Sequence, residues 1–386
     1  MNVTRRMVLG GACSFAAHPL ITPMAMASVP SENRLVVILL RGGMDGLDAV
    51  RPIGAPELKM LRPEGMTKTG FDLDGYFVAS EGFNPLRPLW AAGELAFVHA
   101  VSTPYRDKRS HFDGQDILEA GALSGQGIRD GWLNRLLQVL PGASEQTGFA
   151  VGGEQPLIMK GKAPVLNWAP DVPFLLTEQD RLLLDYVYAE DEAFHVAMNE
   201  AAMLVDNGMG ADMKGSGARR RGGELDKIAK FTAEQLLGET RIASFTINGW
   251  DTHRNQRNTL RESLASLSKT ILNLKADLGP IWSKTTIVAM TEFGRTAAMN
   301  GTYGTDHGTG GAMVLAGGAV KGGKVYGAWP GLDEASLYDR RDLMPTADVR
   351  AYAGAVIGDL YGLARADIER VVFPGLMMDQ NPSVIL

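Results

Sequence analysis

Residues 34–41 read RLVVILLR, and residues 42–46 follow as GGMDG. The run Leu35–Leu40 is apolar without a break, short, and β-branched at Val36, Val37 and Ile38. A strand covered on both faces has this pattern, because neither set of alternating side chains meets water. The same reading applies to residues 95–101 (LAFVHAV), 241–248, 285–291 and 312–316. Between them, residues 113–120, 130–140, 259–278 and 347–361 have the apolar spacing of helices. Strands alternating with helices predict an α/β fold, a mixed and mostly parallel sheet sandwiched by helices.

The composition agrees with a folded globular chain. Of 386 residues, 45% are hydrophobic and 21% charged, which excludes a disordered or collagen-like protein. No apolar run is long enough to predict a stable membrane span. A net charge of −6 speaks against nucleic acid as a partner, since phosphate binding requires a basic surface.

The first residues read as an address. Arg5 and Arg6 stand directly before the apolar stretch Met7–Ala17, and Ala25-Met26-Ala27 fits a small-x-small cleavage site. Residues 1–27 are therefore expected to be a twin-arginine signal peptide, and the mature protein periplasmic or secreted. Cys13, the sole cysteine, lies in this segment, so no thiolate metal ligand or disulfide is expected in the mature protein. Residues 28–386 are expected to form a single domain with an elaboration at about 141–240. Within that stretch, 148–160 reads as short strands, 177–207 as a long helix and the Gly-rich 208–223 (GMGADMKGSGARRRGG) as a surface loop.

In sheets of this kind, ligands bind beyond the carboxyl ends of the strands. Asp45 follows the first strand. Arg106, Arg109, Ser110 and His111 follow the second. Asp251 and His253 follow the third, and Glu292 and Arg295 the fourth, with Asp306 and His307 in the next loop. Acidic residues and histidines in converging loops have the donor set of a nitrogen/oxygen metal site. Asp45, His111, Asp251, His253, Glu292, Asp306 and His307 are its candidate ligands. His99, inside a strand, and His195, inside a helical stretch, read as structural. Ser110 precedes an amphipathic helix. It is placed either as an N-cap or as a nucleophile, and the two roles are compatible. Arg106, Arg109 and Arg295 are candidates for holding an anion.

RGGMDGLDAV (41–50), SHFDGQDILEAG (110–121), NGWDTH (248–253), TEFGRT (291–296) and GTDHGTGGAMVLAGG (304–318) together resemble the bacterial family called domain of unknown function 1501. That family is grouped with the alkaline phosphatase superfamily. The resemblance implies an alkaline-phosphatase-like fold and a two-metal hydrolytic or transfer site. On it, Asp45 matches an acidic ligand, Ser110 the nucleophile, and Asp251 and His253 the ligands of one metal. Glu292 matches the Asp of an Asp-His pair, with Phe293 in the His position and His307 as the last histidine. Alternatively, Asp306-His307 is itself that pair. One metal, or a second site completed by His111, are both open.

The function so implied is an exported, divalent-metal-dependent hydrolase of phosphate or sulfate esters. Its substrate would be a small anionic ester. Zn²⁺ is the first expectation, with Mn²⁺, Ca²⁺ and Mg²⁺ as alternatives. The other reading is a non-catalytic exported binding protein, with a second exported protein as partner.

Overall fold

The computed structural model describes residues 31–63, 69–106, 109–123, 127–152, 155–168, 217–379 and 381–386. The expected signal segment with Cys13, the helix expected over 177–207 with His195, and residues 208–216 of the Gly-rich segment lie outside the described residues.

The strands are β1 (Arg34–Arg41), β2 (Val50–Arg51), β3 (Gly70–Asp72), β4 (Val78–Ser80), β5 (Leu95–Ser102) and β6 (Gly148–Val151). They continue with β7 (Leu166–Trp168), β8 (Ile242–Asn248), β9 (Thr285–Met290), β10 (Gly311–Ala316), β11 (Lys324–Tyr326) and β12 (Ala347–Asp348). The main sheet runs β11-β5-β10-β9-β1-β8-β6-β7, with β12 paired to β5, and β2-β4-β3 form a small separate sheet. In the main sheet every pairing is parallel except those of β10, which runs antiparallel to β5 and β9. The carboxyl ends of β1, β5, β8 and β9 therefore share one edge with the start of β10. The expected mixed, mostly parallel sheet is the one found.

The β1 alternation divides the core. Val36, Ile38 and Leu40 face one side, where Leu260, Leu264, Leu267 and Ile271 of the helix Gln256–Leu278 cover them together with Ile228, Ala233 and Leu236. Leu35, Val37 and Leu39 face the other, under Trp132, Leu133 and Leu136 and under Tyr352, Val356 and Ile357 of the helix Val349–Tyr361. Each such side chain, buried in full, contributes about 1.5–3 kcal/mol.

Two local expectations differ from what is observed. Among the described residues of 148–160 there is one strand, β6, and then the 3₁₀ turn Leu157–Met159 rather than further strands. Pro156, in an extended conformation, is the residue from which that turn starts. Residues 217–223, expected as loop, are the first part of a helix, Gly217–Leu237. Its apolar positions Ile228, Ala229, Ala233 and Leu236 pack on the sheet. That tertiary burial outweighs the low helix propensity of the glycines at its start. Within 141–240, β6 and β7 continue the main sheet beyond β8. No helix among the described residues is long and apolar enough to cross a membrane.

Candidate metal centre

Loops at the shared edge are fixed before any functional side chain is placed. Thr291, just past β9, donates its Oγ1 hydrogen to the Leu40 carbonyl at 2.8 Å and accepts from Met44 N at 3.0 Å. Past β8, fully buried Trp250 donates Nε1–H to the Ile247 carbonyl at 2.8 Å and so pins the adjacent Asp251. The 291–296 and 304–310 loops lie against each other through a bridge between Arg295 and His307. Their backbones touch. A Cβ on Gly294 would sit 1.8 Å from the Gly310 carbonyl oxygen, and one on Gly308 would sit 2.3 Å from the Arg295 carbonyl carbon. Only glycine allows this approach.

Three histidines converge on Asp251, and each is held from behind. His111 Nδ1 lies 2.7 Å from Glu292 Oε1. His307 Nδ1 lies 2.9 Å from the Arg109 carbonyl oxygen. His253 Nδ1 lies 3.1 Å from Asp306 Oδ1. A carbonyl or an ionised carboxylate only accepts, so each Nδ1 carries the hydrogen. In the neutral ring Nε2 then carries the lone pair, and all three Nε2 atoms lie close to Asp251. His253 Nε2 is 3.0 Å from His307 Nε2 and 3.0 Å from Asp251 Oδ1. His307 Nε2 is 3.3 Å from Asp251 Oδ1, and His111 Nε2 is 3.5 Å from Asp251 Oδ2. His111 Nε2 is buried without a hydrogen-bond partner. Two ring nitrogens this close to each other and to a carboxylate share a proton or a metal cation. Ligand atoms of His111, Asp251 and His307 all fall within 4.8 Å of one another, a spacing that admits one metal ion.

The electrostatics keep the carboxylates of the cluster ionised. Burial alone would raise the Asp251 carboxyl, but the Arg295 guanidinium, 2.5 Å away, outweighs it and holds the group below its usual range. Glu292 is fully buried, yet its hydrogen bonds from His111, Gln115 and Gly42 N keep it ionised. In turn the Glu292 hydrogen bond raises the pKa of His111. Burial lowers that of His307. Burial would raise the Asp306 carboxyl, but hydrogen bonds from Asn300 and His253 together hold it low. Phe293, where the resemblance would expect a histidine, is buried with its ring 5.0 Å from that of His111 and 5.1 Å from that of His307.

The sequence-expected residues separate into roles. His111, His307 and Asp251 bring donor atoms within 4.8 Å of one another, and His253 Nε2 adjoins His307 Nε2 and Asp251 Oδ1. Glu292 and Asp306 stand behind His111 and His253. Arg295 is buried and spends its donors on Asp251 and the Gly43, Trp250 and Thr305 carbonyls, which leaves little to offer an anion. Arg106 Nη1 turns back to the Thr103 and Tyr105 carbonyls. Arg109 is exposed and has φ +54°, a left-handed conformation in the residue whose carbonyl meets His307. Ser110 caps the helix His111–Ala120, with Oγ accepting from Asp113 N at a long 3.4 Å.

Asp45 is not brought into the cluster. It is buried, and its Oδ2 takes Arg62 Nη1 at 2.9 Å, Gln256 Nε2 at 2.8 Å and the Thr305 hydroxyl at 3.2 Å. Oδ1 accepts from Asp48 N at 3.0 Å. The buried Arg62 guanidinium overcomes the burial effect and keeps Asp45 charged. His99 is also structural. It is buried between the Val50 carbonyl and Ala100 N, and burial lowers its pKa to about 4.

Sequence reasoning missed Arg62 and Arg341. Arg341 donates from Nη2 to the His307 carbonyl at 3.0 Å and is partly exposed beside the cluster. Neither stands in a motif, and only the close charge run at 339–342 marked the second.

A family model described as "Protein of unknown function (DUF1501)" matches residues 96–372. No curated protein matches. Among solved structures, the chain is similar to a protein in the alkaline phosphatase superfamily from Vibrio parahaemolyticus. That match has 12% identity, 82% of this chain, 69% of the other and a TM-score of 0.36. It is also similar to the lipoteichoic acid synthase LtaP from Listeria monocytogenes, with 9% identity, 90% and 76% coverage and a TM-score of 0.42. A 2-O GAG sulfatase matches at 10% identity, 86% and 71% coverage and a TM-score of 0.40.

Proposed function

The chain belongs to the family described as protein of unknown function (DUF1501), and from that premise we propose that it is a metal-dependent hydrolase of phosphate or sulfate esters. The observation that carries the metal is the set of three Nε2 atoms gathered about Asp251, each histidine fixed by an oxygen acceptor behind it. Such outer partners fix the tautomer and raise ligand basicity in metal sites. Three imidazoles and a carboxylate suit Zn²⁺ best. With Asp45 engaged by Arg62 and a phenylalanine at position 293, the donors support one ion rather than two.

A divalent ion here would lower the pKa of a neighbouring hydroxyl and polarise an ester oxygen. The protein's own groups do the rest. Glu292, Asp306 and the Arg109 carbonyl hold the three rings, and Arg295 holds Asp251. Ser110, next to His111 at a helix start, is the nucleophile. Its Oγ bonds to phosphorus or sulfur as the ester C–O–P or C–O–S oxygen leaves with the proton. Water then releases the acid and restores the hydroxyl. Exposed Arg109 and partly exposed Arg341 flank His307, where they attract the anionic group.

The test is Ser110→Ala assayed on p-nitrophenyl phosphate and p-nitrophenyl sulfate, with metal content read in parallel. Turnover falls by about 10³-fold or more while metal stays bound. Unchanged turnover makes Ser110 only a cap. A metal-loaded wild type that turns over neither ester favours the accessory-protein reading, which Phe293 and the engaged Asp45 also support. Export belongs to the same proposal. Arg5→Lys with Arg6→Lys keeps the protein in the cytoplasm on fractionation, whereas unimpaired export rules out the twin-arginine route.

A further inference from the structure

A cleft of about 500 Å³ opens beside the metal centre, within the range of small-molecule sites. Its place follows from topology. β6 and β8 are parallel neighbours. After β8 the chain crosses to the face that holds Leu260 and Leu264. After β6 it crosses to the opposite face, where Ile158 and Met159 pack. Connections that leave adjacent strands in opposite directions open a crevice at the carboxyl edge, the ordinary place for a ligand in open α/β sheets. The crevice is linked to the centre through two residues of the helix that carries His111. Gln115 lines it and donates to Glu292 Oε1 at 3.2 Å, and Phe112 follows His111 in the chain.

The lining narrows the ligand. Phe112 is 83% exposed and offers an open ring face at the cleft. Gln115, Gln155, Asn248 and Thr246 offer both donors and acceptors. Arg41 is paired with Glu119, and Lys160 is opposed by Asp116 and Glu224, so the cleft has no cationic excess for a second anion. A flat apolar ring next to planar amides, with two cations facing three carboxylates, fits an uncharged molecule with many hydroxyls and one apolar face.

We propose that this cleft holds the sugar portion of the substrate, so that the ester cleaved at the metal centre is one borne by a carbohydrate. This rests on the ester-hydrolase reading for the reaction but not for the binding. In this arrangement Phe112 stacks on the pyranose face, Asn248 and the two glutamines bond its hydroxyls, and the ester group reaches towards Asp251.

The experiment uses the full metal-loaded chain. Saturation-transfer NMR is run with methyl glucoside, methyl galactoside, methyl mannoside and maltotriose, and turnover of p-nitrophenyl phosphate and p-nitrophenyl sulfate is measured alongside. Phe112 and Asn248 are exposed, so Phe112→Ala and Asn248→Ala are expected to fold. At least one sugar binds, and each variant weakens it by about fivefold or more, while its circular dichroism and metal content stay those of the wild type. Absence of binding across the panel, or variants that bind as the wild type does, overturns the proposal. Sugar binding that depends on the cleft in a wild type without ester turnover supports the cleft and refutes the hydrolase reading.

Discussion

His307 carries its hydrogen on Nδ1 because the Arg109 carbonyl can only accept it. Its other nitrogen is thereby committed to the cluster, and the same logic runs through Glu292 to His111 and through Asp306 to His253. Replacing Glu292 by Gln keeps the shape but removes the charge behind His111. The expected result is a loss of about 10–100-fold in metal affinity, read by competition with a chromogenic chelator. Unchanged affinity would mean that His111 is not a ligand. Asp45 answers to a different partner. Removing one member of a buried ion pair typically costs about 3–5 kcal/mol, so substitution there is expected to lower stability rather than metal content. The sequence showed that His111, Asp251, His253 and His307 follow strands, and the structure joins them in one cluster. It could not show that Asp45 looks inward, because that depends on Arg62, distant from the other motifs and placed only by folding.

At the scale of the element, β1, β5, β8, β9 and β10 were legible because continuous apolar runs are the signature of strands covered on both faces. The glycine loops between them were legible as loops, but not as contacts. That Gly294 must lie against Gly310 is a statement about two loops meeting. The helix at Gly217–Leu237 was misread at its start because propensity is local and burial against the sheet is not. β5 also makes an acid-sensitive joint to β2 through His99. Burial lowers the His99 pKa from 6.5 to about 4 in the fold, so between these values the unfolded chain binds more protons. Stability is therefore full above about pH 6.5 and declines as pH falls towards 4, by about 3 kcal/mol from this group. Denaturant unfolding at pH 7 and pH 4.5 checks this. His99→Gln should flatten the difference, and an equally steep loss in that variant would assign it to other groups.

For the whole molecule, one antiparallel strand inside an otherwise parallel sheet is what assembles the site. Because β10 runs against its neighbours, the loop that precedes it arrives at the edge where β1, β5, β8 and β9 end. His307 enters from that loop and meets His111 and His253, which lie far from it in sequence. The centre and the cleft next to it occupy one edge of one sheet.

The most direct measurement is metal content by mass spectrometry on the mature chain purified without chelators and reloaded with Zn²⁺. Wild type is compared with His253→Ala/His307→Ala and with Asp45→Asn. The account predicts one equivalent in the wild type, little or none in the histidine variant, and one equivalent in Asp45→Asn despite a lower denaturation midpoint. A well-folded wild type that stays metal-free, or an Asp45→Asn protein that folds but loses its metal, would contradict it.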